Sequence, residues 1–153
     1  MKKIYSLFLL LFIAVFSFAQ STKQVTWTFT SKKVADKTYE VHMTALIGNN
    51  YHMYAQDAGV EGPLPTTFKF TGNPLAQLNG KVKEAGKLVK KKEDVWGGSG
   101  IVQFFEKTVD FVQVVKLKAN VKTNVAGTVE FMVCNDSQCL PPSKVEFKVN
   151  IGG

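Results

Sequence analysis

Over Val25–Thr30, Tyr39–Ile47, Thr128–Val133 and Val145–Ile151, apolar and polar side chains alternate almost one for one. A chain patterned with period two buries a single face only as β-strands, so this alternation restricts the fold more than any other feature. Val25, Trp27 and Phe29 alternate with Thr26, Thr28 and Thr30; Tyr39, Val41, Met43, Ala45 and Ile47 alternate against Glu40, His42 and Thr44. A turn is expected between them over residues 31–37, and Gly48, Asn49 and Asn50 end the second strand. Residues 51–56 are aromatic and polar at once. They lead into a stretch from Gly59 to Pro65 whose prolines and glycines oppose regular structure. Phe68 and Phe70 mark a short strand stopped by Thr71, Gly72, Asn73 and Pro74. Val82 and Leu88 are the strong apolar points before a lysine-rich run at 90–92, the pattern of an exposed edge strand or loop. Val109, Phe111, Val115 and Leu117 belong to a strand whose middle is apolar on both faces, as expected of a central strand covered on both sides. Residues 125–133 read as one strand running into Cys134. Val145, Phe147, Val149 and Ile151 define the last strand. Seven or eight short strands, with no helix beyond the N-terminal leader and no repeat, predict an all-β fold: an antiparallel β-sandwich of immunoglobulin-like type.

Residues 1–19 read as a secretory signal peptide, with Lys2 and Lys3 before an apolar segment and small residues at Ser17 and Ala19. The competing reading is a membrane anchor, but the apolar segment is shorter than the roughly 20 residues a spanning helix needs. Contact with the membrane is therefore expected only through this peptide before cleavage. Its removal from 153 residues leaves a single domain of 134, residues 20–153, and lowers the net charge from +7 to +5. A domain of that size buries a core without help from disulfides. Every basic residue is a lysine, whereas nucleic-acid recognition leans on arginine forks, and an exported chain does not meet nucleic acid. A solvated basic surface is the plainer reading.

Cys134 and Cys139 are the chain's only cysteines, and in an oxidising compartment two thiols so close are expected to pair. The disulfide is open to two readings, a structural clasp or a reactive site. Closing a loop of about six residues removes only roughly 2 kcal/mol of unfolded-state entropy, against nearly 5 for a hundred-residue loop, so the bridge is a weak staple. A tight turn also makes a bridge easier to reduce. Asp136 lies between the cysteines, where its charge would disfavour either thiolate and slow the reduced pair as a nucleophile. A Gly-rich loop at residues 94–100 carries Trp96, either as a core aromatic beside a turn or as a mobile cover for a site. The His42-Met43 and His52-Met53 pairs hold copper-type ligands, but strand alternation sends His42 and Met43 to opposite faces. No metal and no cofactor is expected, and no hydrolytic triad, phosphate loop or carboxylate pair stands out.

The run Cys134-Asn-Asp-Ser-Gln-Cys139-Leu-Pro-Pro, before a terminal strand, resembles the N-terminal periplasmic domain of the thiol:disulfide interchange protein DsbD. Val25-Thr-Trp27, Tyr51-His-Met-Tyr-Ala-Gln56, Pro63-Leu-Pro-Thr66 and Asp94-Val-Trp-Gly97 match in the same order, so the resemblance spans nearly all of residues 23–151. It implies an immunoglobulin-like sandwich in the periplasm whose paired cysteines relay electrons. A thioredoxin-like or membrane-embedded thiol-disulfide reductase would supply them. Periplasmic disulfide proteins, such as isomerases and cytochrome-maturation thioredoxins, would receive them. By position, Cys139 would form the mixed disulfide and Cys134 would resolve it. Val95, Trp96 and Gly97 would correspond to the cap loop whose aromatic shields the disulfide. The spacing between the cysteines is one residue shorter than in the best-known members, and Val95 stands where the cap aromatic is found. With the chain ending at Gly153, the reductant is expected to act in trans. The alternative from another class is a non-redox protein-binding sandwich whose bridge stiffens a recognition loop.

Overall fold

The computed structural model describes residues 24–93 and 100–153. The expected signal peptide and the loop residues Val95, Trp96 and Gly97 lie outside them. Nine strands run through the described residues, with no helix among them: β1 (Val25–Ala35), β2 (Thr38–Ile47), β3 (His52–Tyr54), β4 (Thr67–Phe70), β5 (Ala76–Glu93), β6 (Gly100–Leu117), β7 (Thr123–Phe131), β8 (Val133–Cys134) and β9 (Ser143–Ile151). All pairings are antiparallel. One sheet has the order β1-β2-β6-β3-β8 with β5 also paired to β6, and the other has the order β4-β7-β9. The architecture is the expected immunoglobulin-like sandwich.

The main core forms where the inward series of the two sheets meet. Val41, Met43, Ala45, Val109, Phe111 and Val115 from the large sheet pack with Val129, Phe131, Phe147 and Val149 from the small one. Aromatic pairs span the two sheets at the margins: Trp27 against Phe131 at 5.5 Å, Phe29 against Phe147 at 5.2 Å and Phe68 against Phe111 at 5.0 Å between ring centroids. The inward positions named for β1, β2 and β9 from alternation all fall in this core or against it.

β6 holds the large sheet together. Its C-terminal half pairs with β2, its N-terminal half with β3, and β5 lines its other edge for almost the whole length. The change of neighbour coincides with Lys107, whose φ is 63°, and with a register shift in β5 between Gly86 and Leu88. Such bulges bend a strand without ending it. The lysine-rich stretch proves to be the long edge strand β5. Its charged side chains sit where backbone groups would otherwise invite another strand.

Three expectations need correction. The turn expected over residues 31–37 is confined to Asp36 and Lys37, because Ser31 to Ala35 continue β1 in register with Val41 to Thr38. Backbone pairing sustains that extension although its side chains are mostly exposed, so side-chain pattern gives no sign of it. The second face of β6 is only half-covered at Val112 and Val114. Most consequentially, the strand leading into Cys134 does not continue unbroken. β7 ends at Phe131 in the small sheet, and after Met132 the chain joins the large sheet as β8, pairing with β3. Phe131 and Val133 remain in the main core on either side of this crossing, which is why they look like one alternating strand.

Candidate functional site: a half-buried disulfide

The crossing at Met132 determines where the cysteines lie. Val133 turns into the main core, so the next residue, Cys134, faces the opposite side of the large sheet. There it joins a second cluster with Tyr54, Ala58, Val102, Phe104 and Met132, flanked by Val60, Leu64 and Val89. The segment between β3 and β4 forms one wall of that cluster. It is tied down by Ala55 N–H to the Gln103 carbonyl (3.1 Å), Gln103 N–H to the Ala58 carbonyl (2.9 Å) and the buried Thr66 hydroxyl to the Tyr54 carbonyl (2.6 Å). Gly59 has φ 79° and lies so near the Ile101 carbonyl that a Cβ would collide with it.

Cys134 is bonded to Cys139, with 4.0 Å between their Cα atoms. The turn between them holds itself. Asn135 N–H donates to the Gln138 carbonyl, Leu140 N–H donates to the Val133 carbonyl, and Asn135 Oδ1 accepts from both Ser137 N–H and Gln138 N–H, all at 2.9 Å. Leu140 then anchors the exit in the main core. The two sulfur-bearing residues differ sharply: Cys134 is 2% exposed, whereas Cys139 is exposed, as is Asp136. Water around Asp136 screens its charge, which weakens the effect expected of it on the sulfurs.

The register places His52 of β3 directly opposite Cys134, and cross-strand partners share a face of their sheet. The His52 ring lies tilted against Phe104 at 4.4 Å, meets Tyr54 edge-on at 5.3 Å, and has Nε2 3.4 Å from the Tyr54 hydroxyl. The His-Met pairs do not converge. Met43 and Met53 are fully buried in the main core, while His42 lies on the other side of β2 against Asp110 (2.7 Å) and His52 faces the second cluster. Sequence reasoning weighed His52 as a metal ligand and missed it as a neighbour of the disulfide. The pairing of β3 with β8 joins segments about eighty residues apart, and neither has a local signal naming the other. Val95, Trp96 and Gly97, the expected cap residues, lie outside the described residues.

No family model matches the chain, and no curated protein matches it. Solved structures do. The N-terminal domain of DsbD from Neisseria meningitidis, in its reduced form, matches with a TM-score of 0.54 at 17% identity, over 86% of this chain and 89% of that one. The N-terminal periplasmic domain of ScsB from Proteus mirabilis matches with a TM-score of 0.50 at 14% identity, over 84% of this chain and 45% of that one. The chain therefore has the fold of the N-terminal domains of DsbD and ScsB, with a disulfide of one buried and one exposed cysteine at the end of its larger sheet.

Proposed function

We propose that this protein is an exported thiol-disulfide exchange module, acting in the periplasm, that relays electrons between a reductant and thioredoxin-like or isomerase partners through Cys134 and Cys139. The observation that carries the reading is the unequal burial of the two cysteines. A partner thiolate reaches only the sulfur on the outside. It attacks Cys139 Sγ, a new S–S bond joins partner and Cys139, and the old bond breaks with its electron pair going to Cys134 Sγ. A second thiol of the partner then attacks the mixed disulfide and releases Cys139 as a thiolate. Two electrons and two protons have reduced this domain and oxidised the partner. The reverse sequence passes them on, with Cys134 as the resolving thiol.

The self-supporting turn favours exchange over a clasp, because hydrogen bonds and the Leu140 anchor close it in addition to the S–S bond. The fold shared with the DsbD N-terminal domain supports the same reading. A redox titration tests it. The pair is expected to titrate reversibly at a potential well above the roughly −300 mV below which structural bridges lie. A Cys134→Ser variant is expected to trap a thioredoxin-like partner through Cys139. A lower potential, with no exchange towards such a partner, overturns the proposal; trapping through Cys139→Ser alone reverses the two roles.

A further inference from the structure

The exchange step leaves one problem on the inside of the molecule. When the bond breaks, charge develops on Cys134 Sγ, which sits in an apolar cluster where a bare thiolate is poorly solvated. The leaving sulfur needs a proton or a cation from a neighbour. Of the charged and titratable groups on this side of the large sheet among the described residues, Tyr54 belongs to β3 itself, Glu106 is directly opposite His52 on β6, and Lys91 of β5, opposite Val102 of the cluster, is exposed and lies across β6 from β3. Asp136 is in the turn beyond Cys134 and exposed. Neither carboxylate helps a thiolate, and an ordinary tyrosine holds its proton until about pH 10. His52, opposite Cys134 and braced by Phe104 and Tyr54, is the group whose ordinary titration lies near neutral pH.

We propose that His52 handles the proton of Cys134 during exchange. This rests on the exchange reading above. As a partner thiolate bonds to Cys139 Sγ, the imidazolium of His52 gives its proton to the departing Cys134 Sγ, leaving a neutral imidazole and a buried thiol. In the return step, neutral His52 takes that proton back as Cys134 Sγ attacks Cys139 Sγ and expels the partner as a thiolate. His52 thereby lets a buried sulfur act as leaving group and nucleophile without stranding a charge in the cluster.

The test is the rate of reduction of the full chain by dithiothreitol, expressed per thiolate of reductant, across a range of about pH 5.5 to 8.5 that brackets histidine titration. The wild-type rate constant is expected to fall as pH rises through that range. In His52→Phe and His52→Tyr it is expected to be flat with pH and about tenfold or more lower near pH 6, in keeping with a lost general acid. Tyrosine keeps an aromatic ring over Phe104, and an unchanged far-UV spectrum with an unchanged unfolding midpoint confirms that both variants fold. A wild-type profile that is already flat, or variants that keep the wild-type rate and slope, overturns the assignment. So does a variant loss equal at every pH, which marks a packing role. The redox titration of the wild type tests the exchange reading separately: a pair that titrates reversibly above the range of structural bridges, with a flat pH profile for reduction, leaves exchange standing and removes His52 alone.

Discussion

Reduction of the Cys134–Cys139 bond should leave the domain folded and only slightly less stable. The perturbation is excess dithiol, or the double variant Cys134→Ala/Cys139→Ala, which avoids placing a hydroxyl in the apolar cluster. The cysteines are five positions apart, so the closed loop holds about six residues, and the chain-entropy relation assigns it roughly 2 kcal/mol. That is an upper figure for the loss if, as expected, the four hydrogen bonds of the turn and the Leu140 anchor remain after reduction. The assay is denaturant unfolding of the oxidised and reduced forms followed by tryptophan fluorescence, with Trp27 inside the aromatic margin of the core as a reporter. A thermodynamic cycle ties the result to chemistry. A difference of 2 kcal/mol places the potential of the folded protein about 45 mV below that of the unfolded chain, at 30 mV per 1.4 kcal/mol. Unfolding on reduction, or a loss of about 4 kcal/mol or more, would put that gap near 85 mV and refute the reasoning. The bridge would then be holding the turn, and the clasp reading would replace the exchange one.

Two further expectations concern access to the site. In the reduced protein, a bulky alkylating reagent should modify Cys139 well before Cys134, since only the former is exposed; equal rates would show that the second cluster does not cover Cys134. Gly59→Ala should cost about 1–2 kcal/mol for the left-handed backbone alone, with more from the clash on the Ile101 carbonyl. It should also speed alkylation of Cys134 by loosening the wall over it, and an unchanged labelling rate would mean that this segment is not what shields the sulfur.

The fold was legible in the sequence to the extent that it rests on side-chain periodicity. Tyr39, Val41, Met43, Ala45 and Ile47 announce β2 and its buried face, and the series from Val145 to Ile151 does the same for β9. What escaped is pairing that side-chain alternation does not announce. The extension of β1 through Ala35, the full 18-residue length of the edge strand β5 and the three residues of β3 are held by ladder hydrogen bonds and carry weak patterns or none. The crossing at Met132 was hidden because period two is blind to which sheet a strand joins: Phe131 and Val133 enter one core from two sheets. For the site, the bond between Cys134 and Cys139 could be anticipated from spacing, but the inequality of the two could not. That inequality arises from contacts of Cys134 with β3, β6 and the segment after β3, all distant in sequence.

The unequal burial follows from a single residue step. A β-strand presents successive side chains to opposite faces, and β8 is only two residues long, with Val133 committed to the main core. Cys134 must therefore face the other side, under the wall formed by Ala58, Val60 and Leu64. The chain then reverses through a four-residue turn, and Cys139 returns beside Cys134 with no further strand among the described residues to cover it. Thiol exchange requires the attacking sulfur to approach along the S–S axis, and a bond with one end in the cluster and the other at the surface admits attack from one end only. On the proposed exchange reading, attack at Cys134, which would leave the partner bound to a sulfur it cannot readily leave, would be blocked by packing rather than by charge. On the same reading, burial would shield a reduced Cys134 thiol, so that an adduct formed at Cys139 would be met by a protected thiol able to displace it. A substitution at Val133 that lets this residue leave the main core would exchange the two faces and remove that protection, even though both cysteines remain in place.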